Sequence, residues 1–443
     1  MGKRFQRKKL TSFQTIILGF AGVILLGALI LMLPVSSRSG SWTPFHNALF
    51  TSTSAVCVTG LVVYNTATYW SFFGQFVILI LIQIGGMGVI TVAASFALLA
   101  GRRISLMQRS TMQEAIAAPQ VGGIVRLTSF VIRVTIVVEL LGAVIMAPVF
   151  VRDFGIKGLW MAVFHSISAF CNAGFDLLGI ETEFASLTAY STSPVINFTI
   201  MFLIIFGGIG FLTWDDIRAN GWHLKKYRMQ SKVILATTGV LIVFPALYFF
   251  AHEFGSLPLG ERILSSLFQA VTPRTAGFNT VDLTVMTEVG QFIIIALMLT
   301  GGSPGSTAGG MKTTTLAVLL GSARSVFQRK EHASFFGRRI GDEVVKNAAA
   351  VFLMYVVLFV TGSLIISTAE DIAMMPAMFE TASALGTVGL SLGITPALGA
   401  LSKNVLIVLM FLGRVGGLTL IYAALSSKQR NTARLPQEKI TVG

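Results

Sequence analysis

Four stretches of this chain share one plan: a large apolar residue, a glycine ten places later, and directly after it another large apolar residue. They read FTSTSAVCVTG (50–60), FHSISAFCNAG (164–174), LFQAVTPRTAG (267–277) and FETASALGTVG (379–389), followed by Leu61, Phe175, Phe278 and Leu390. The glycines stand 114, 103 and 112 residues apart. Self-similarity at a near-constant period marks a repeated structural unit. Such a unit restricts the chain to folds in which four equivalent loops are presented alike.

Apolar runs flank every stretch, at 11–33, 72–100, 127–150, 195–217, 233–250, 291–321, 347–367 and 404–425. A hydrocarbon core of about 30 Å takes about 20 helical residues. With 54% apolar and 12% charged residues among 443, the chain is read as a membrane protein without a soluble domain. The expected fold is all-α and polytopic, with eight transmembrane helices in four pseudo-fourfold helix–pore loop–helix repeats around one central pore. Repeat 1 is assigned to 1–100, repeat 2 to 101–220, repeat 3 to 221–325 with a broken second span, and repeat 4 with a tail to 326–443. The first run lacks a small-residue cleavage site before Pro34 and is taken as a retained helix.

Net charge is +14, and its placement matters more than its sum. Basic residues gather at the N-terminus, at Arg102, Arg103 and Arg109, at 218–232, at 324–346 and in the tail from Lys428, always after an even number of spans. The positive-inside rule then puts these segments and both termini in the cytoplasm, facing anionic lipid or an acidic partner rather than nucleic acid. Two cysteines, Cys57 and Cys171, exclude a disulfide framework and a four-cysteine metal site, and no histidine pair has zinc-ligand spacing.

Each repeat enters and leaves on the same side, so four of them surround one axis along the membrane normal. Irregular backbone at membrane depth is tolerated where it is buried in protein or lines a wet path. Short helices at 45–55, 160–169, 261–271 and 374–384 precede the glycines. They would aim their partly negative carboxyl ends at the axis, which favours a cation there.

Thr387-Val388-Gly389-Leu390 matches the first part of a potassium-channel filter, where backbone carbonyls replace the ion's hydration shell. In phase with it lie Val58-Thr59-Gly60-Leu61, Asn172-Ala173-Gly174-Phe175 and Thr275-Ala276-Gly277-Phe278. Side chains vary while glycine persists, as suits ligands that are main-chain oxygens. A second glycine cluster follows each strip: Gly85-Gly86, Gly207-Gly208, Gly301-Gly302, and Gly413 with Gly416-Gly417. In repeat 3 it expands to Gly301-Gly302-Ser303-Pro304-Gly305-Ser306-Thr307-Ala308-Gly309-Gly310-Met311-Lys312. Helix cannot continue cheaply through these glycines and the proline, so the middle of that span is expected to unwind. Gly305 and Gly310 are spaced like a phosphate-binding loop, but Met311 separates the glycine from Lys312 and no strand precedes it. Arg414 lies within the last span, where an arginine is costly and therefore a functional candidate, placed to bond carbonyls near 301–310. Lys312 is expected to snorkel or cap the loop.

Together the four loops, Thr272-Pro-Arg-Thr-Ala-Gly-Phe-Asn279 and Phe411-Leu-Gly-Arg-Val-Gly416 resemble, across nearly the whole chain, the superfamily of bacterial Trk and Ktr membrane subunits and plant high-affinity potassium transporters. The early start of the first repeat resembles the Ktr membrane subunit most, with the Trk subunit as alternative. The resemblance implies potassium uptake across the bacterial cell membrane, the four strips forming the filter and binding the ion. Residues 301–310 with Lys312 and Arg414 would form the gate. It implies no covalent cofactor, potassium as substrate and sodium as a candidate activator. It also implies a homodimer with the tail at its contact, and a cytoplasmic ring of nucleotide-binding regulatory subunits, the nucleotide lying on that partner only. Sodium-favouring plant relatives carry serine at the first-loop glycine, whereas Gly60 stands here. A sodium-coupled symporter is the rival outside this class, usually built of two inverted halves. An intramembrane enzyme would need a nucleophile with its base, and no suitable pair is seen.

Four further side chains carry expectations. Cys57 and Cys171, each three places before its glycine, are read as small groups packed behind the filter. Arg274 is expected to point away from the axis toward Glu380. Arg133 and Glu139 receive no role.

Overall fold

The computed structural model describes residues 11–99, 105–116, 120, 122–417 and 419. The N-terminal basic cluster, Arg102, Arg103 and the tail from 420, with its expected dimer contact, lie outside the described residues.

The chain runs helix, short helix, helix four times. In repeat 1, α1 (Ser12–Met32) leads to α2 (Phe45–Val56) and α3 (Phe72–Met87), continued beyond a break by α4 (Val89–Leu99). After α5 (Leu106–Ile116), repeat 2 comprises α6 (Ile124–Phe154), α7 (Lys157–Phe170), α8 (Pro194–Gly208) and α9 (Phe211–Asn220). Repeat 3 has α10 (Met229–Tyr248), α11 (Leu259–Val271), α12 (Glu288–Leu299) and α13 (Thr313–Phe327). Repeat 4 has α14 (Asp342–Glu370), α15 (Met374–Gly386) and α16 (Ala400–Val415). A two-stranded hairpin, β1 (Ser334–Phe335) and β2 (Arg338–Arg339), lies in the basic segment before α14.

Local chemistry sets the starts of these elements. Thr11 and Gln14 form a capping box on α1, with Gln14 N–H on Thr11 Oγ1 at 3.2 Å and Thr11 N–H on Gln14 Oε1 at 3.1 Å. Ser71 and Thr287 cap α3 and α12, and Pro194 opens α8. Among the described residues four helices are long and apolar enough to cross a membrane, α1, α6, α14, and α10 extended to Glu253, and the bent pair α8–α9 together makes a fifth. Their outward faces are apolar, as with Leu140, Leu141 and Val144 on α6.

Lipid offers no hydrophobic drive for helix association, so close contact through small residues is needed. Three repeats make it identically. Gly27 of α1 faces Ser52 of α2 and Leu81 of α3; Gly142 of α6 faces Ser166 of α7 and Leu203 of α8; Gly362 of α14 faces Thr381 of α15 and Leu409 of α16. Ser52 donates to Ile24 O at 2.7 Å and Ser166 to Glu139 O at 2.6 Å, fixing the short helix against the first span.

The second spans depart from expectation. Continuous helices were expected over 72–100, 195–217 and 404–425, with a break only in repeat 3. Instead the helix is broken at a glycine just beyond α3, α8 and α16: Gly88 (φ 85°, ψ 131°), Gly210 (φ 91°, ψ 144°) and Gly416 (φ 88°, ψ 140°). That left-handed conformation admits glycine readily. The break bends α8 against α9 by 98°. Three residues before each break stands the glycine that meets the short helix: a Cβ on Gly85, Gly207 or Gly413 would collide with the carbonyl of Val56, Phe170 or Leu385. The recurring Gly-x-x-Gly therefore does two tasks, close approach and then helix termination.

Candidate pore and intramembrane loop

The four strips meet in one ring. A Cβ built on Gly60 would stand 2.5 Å from Ala173 O and 3.0 Å from Gly174 Cα, and one on Gly174 would stand 2.7 Å from Ala276 O and 3.0 Å from Gly277 Cα. Gly277 abuts Val388 O in the same way, and Gly389 closes the circle on Thr59 O. Each glycine thus gives room to the carbonyl of the next repeat. Two places earlier, Val58 (φ 57°), Asn172 (φ 59°), Thr275 (φ 66°) and Thr387 (φ 51°) are also left-handed. For β-branched Val58, Thr275 and Thr387 this is a true outlier, costing roughly 1–3 kcal/mol each, which the surroundings must impose.

Those surroundings are hydroxyls of the short helices. Ser54 Oγ accepts from Gly60 N–H at 3.1 Å and Ser383 Oγ from Gly389 N–H at 3.0 Å. Ser168 donates to Phe175 O at 2.7 Å and Thr272 to Phe278 O at 2.5 Å. The helix ends add Thr59 N–H to Ser54 O, Ala173 N–H to Ser168 O and Val388 N–H to Ser383 O, at 2.7–2.8 Å. Leu61, Phe175, Phe278 and Leu390 are buried beside the ring. Sequence reasoning passed over these hydroxyls. Their signal is the serine six places before the glycine in three stretches, displaced by one residue to Thr272 in the third.

Residues 300–312, between α12 and α13, form a compact loop whose ends pair through Thr300 and Met311. Gly302 N–H bonds Gly309 O at 3.3 Å, and Thr313 N–H bonds Gly302 O at 3.0 Å. The glycine clusters of other repeats supply its partners: Ser303 and Thr307 N–H bond Gly208 O (3.0 Å) and Gly207 O (3.2 Å), and Gly310 N–H bonds Gly413 O (3.2 Å). The N–H of Phe211, freed by the break at Gly210, bonds Gly305 O at 2.6 Å. Thr307 Oγ1 reaches both Phe170 O and Asn172 Oδ1 at 3.0 Å, linking the loop to the second strip. Lys312 Nζ donates to Ala308 O at 2.9 Å and Gly309 O at 3.3 Å, closing the loop on itself. Arg414 donates to Thr307 O and Gly85 O, and to Gly86 O at 3.1 Å, so one guanidinium joins repeat 4, repeat 1 and the loop. The loop, Lys312 and Arg414 border a cavity of about 450 Å³, to which α5 contributes Glu114.

Several placements differ from expectation. Arg274 does not pair with Glu380. Its Nη1 reaches Thr238 O on α10 at 3.5 Å, whereas Glu380 accepts from Ser391 and from Thr395 (2.8 Å), because the third and fourth short helices turn these side chains behind different strips. Cys57 and Cys171 are buried and unpaired as a disulfide. Glu139, given no role, lies buried with Gln83 Nε2 at 3.4 Å and Cys171 Sγ at 3.9 Å from its carboxylate. The helix α5 was unforeseen, since its residues Leu106–Ile116 are too polar for a span and sit in a stretch read as a connection.

Comparison with known proteins gives one consistent answer. Residues 3–433 match the profile of TrkH, described as a cation transport protein. The chain is 40% identical to the potassium/sodium uptake protein NtpJ of Enterococcus hirae, covering 100% of this chain and 99% of that one. It is 37% identical to Ktr system potassium uptake protein B of Bacillus subtilis, covering 98% and 97% respectively. The crystal structure of the potassium transporter TrkH from Vibrio parahaemolyticus superposes with a TM-score of 0.74 at 20% identity, over 96% of this chain and 87% of that one. A ring of four glycine strips closed by a fourfold helical repeat, with sequence matches of this length, leaves one assignment: the chain is a multi-pass membrane protein of the TrkH family of cation transport proteins.

Proposed function

We propose that the chain takes up potassium by passing it, dehydrated, through the ring of main-chain oxygens contributed by Val58–Leu61, Asn172–Phe175, Thr275–Phe278 and Thr387–Leu390. The observation that carries this reading is the closed circuit Gly60, Gly174, Gly277, Gly389, in which each glycine leaves room for the neighbouring repeat's carbonyl. Carbonyl dipoles stabilise a bare cation without a fixed carboxylate, and the carboxyl ends of α2, α7, α11 and α15 add their negative ends. Potassium here is cargo rather than cofactor. The relatives' names, potassium/sodium uptake protein and Ktr system potassium uptake protein, support the same substrate and leave room for sodium as activator.

The loop 301–312 with Arg414 acts as the gate. In support, the loop reaches the second strip through Thr307 and, with Lys312 and Arg414, borders the cavity, where a guanidinium would repel a passing cation. The basic segments around 218–232 and 324–346 face the cytoplasm with both termini. They supply the surface for a regulatory ring carrying a nucleotide, with two copies of this chain per complex; the designation of relatives as one lettered protein of a Ktr system supports a partner.

Rubidium uptake into liposomes holding the purified protein tests the reading, comparing native protein with Gly389→Ser. The left-handed φ of 94° and the contact with Thr59 O leave no place for a side chain, so selective uptake should collapse. Uptake indifferent to the change would remove the pore.

A further inference from the structure

One position of the short helices differs in kind among the repeats. Nine residues before the ring glycine stand Thr51, His165, Phe268 and Glu380, all buried. In repeat 4, Glu380 accepts from the Ser391 hydroxyl, from the Thr395 hydroxyl at 2.8 Å and from Leu392 N–H. In repeat 2, His165 Nδ1 donates to Met161 O at 2.7 Å, which leaves Nε2 bare to accept Leu177 N–H at 3.3 Å. Leu177 and Leu392 each stand three places after their glycine, so two unlike side chains grip the same backbone N–H.

The other two repeats lack this grip. Thr51 returns its hydroxyl to Asn47 O of its own helix at 3.0 Å, and Phe268 has no polar side-chain atom. Because the order around the ring is Gly60, Gly174, Gly277, Gly389, the tethered strips of repeats 2 and 4 oppose each other. The His165 ring also lies 6.3 Å from that of Phe278, the residue after the third glycine, and 5.2 Å from that of Phe150. Its orientation is therefore fixed by neighbours on two other elements.

We propose that His165 and Glu380 are positioning residues that pin one diagonal of the carbonyl ring and thereby set its discrimination between potassium and sodium. A smaller ion needs its oxygens drawn closer, and strips held at their far ends resist that movement. The proposal rests on the pore reading above, deepening it by naming what makes the ring stiff.

The test is rubidium uptake into liposomes, competed by potassium or by sodium, with gel filtration to establish folding. His165→Phe, which installs the residue of repeat 3, and Glu380→Leu, which leaves no acceptor, should each lower the potassium-over-sodium competition ratio about fivefold, the size of one net hydrogen bond. His165→Gln, whose amide oxygen can still accept from Leu177, should restore most of the ratio, a rescue that simple cavity filling would not produce. Phe268→Leu and Thr51→Val should leave it unchanged. Should Glu380→Leu fail to fold, Ser391→Ala with Thr395→Val removes the two hydroxyl bonds from the strip side, and a fall in the ratio there supports the tether. An unchanged ratio in folded His165→Phe and in the folded repeat 4 variant overturns the proposal. If Gly389→Ser also left selective uptake intact, the pore itself would be wrong; if it abolished uptake while these variants were silent, only the tethers would fall.

Discussion

Arg414→Ala is the perturbation from which the gate can be judged quantitatively. Arg414 occupies the position held by Gly86 and Gly208 in repeats 1 and 2. Of its three acceptors, two belong to repeat 1 and one, Thr307 O, to the loop. Truncation thus removes a single charge-assisted bond from the loop, about 1.5–3 kcal/mol. At 1.4 kcal/mol per factor of ten, the ratio of open to closed loop rises about 10- to 150-fold. Loss of the positive charge also lowers the barrier to a cation. Initial rates of rubidium uptake in liposomes should rise toward that range when the native loop is mostly closed. Arg414→Lys separates the two effects, since an ammonium keeps the charge but is a point donor that cannot span Thr307 and repeat 1 as the planar fork does. Its rate should fall between native and alanine. A folded Arg414→Ala protein with the native rate would refute the reasoning.

Thr307→Val keeps the shape but loses the bonds to Phe170 O and Asn172 Oδ1. The hydroxyl has one proton to share between those two oxygens, so at about 1 kcal/mol its loss should raise basal uptake about fivefold, read in the same assay. Gly305→Ala puts a Cβ into Ile116 O of α5 at a φ of 63°, so the loop must lift from α5, and higher basal flux is expected. Ser383→Ala removes the acceptor of Gly389 N–H, and thermal unfolding in detergent should fall by the equivalent of about 1–3 kcal/mol for the orphaned buried donor. Gly413→Val drives a branched side chain into Leu385 O, where overpacking costs about 1–3 kcal/mol or more, and a lower yield of monodisperse protein is the measure.

Much of this architecture is legible in the amino-acid sequence. A period carried by glycines at 60, 174, 277 and 389 implied four like loops, because a chain entering and leaving one membrane side can only present them in parallel. The short helices follow from length and apolarity, and observed limits such as Phe45–Val56 lie close to the expected 45–55. The breaks at Gly88, Gly210 and Gly416 were less legible, since a glycine inside an apolar run is tolerated in helix and only the contact of Gly85, Gly207 or Gly413 with a helix end shows why termination follows. The Arg274 to Glu380 pairing failed for a related reason: opposite charge and burial suggest a partner, but the direction of each side chain is set by its helix's rotation about its own axis.

Sequence alone determined what every repeat has in common: apolar length and a glycine that permits an otherwise strained backbone. These are properties of single residues and of their spacing along one helix. Tertiary structure decided what distinguishes the repeats, namely which hydroxyl holds which strip, that Arg414 bridges the loop to repeat 1, and that His165 and Glu380 grip opposing strips. Each of these is a contact between residues far apart in the chain, and a hydrogen bond is specified by distance and angle that no spacing encodes.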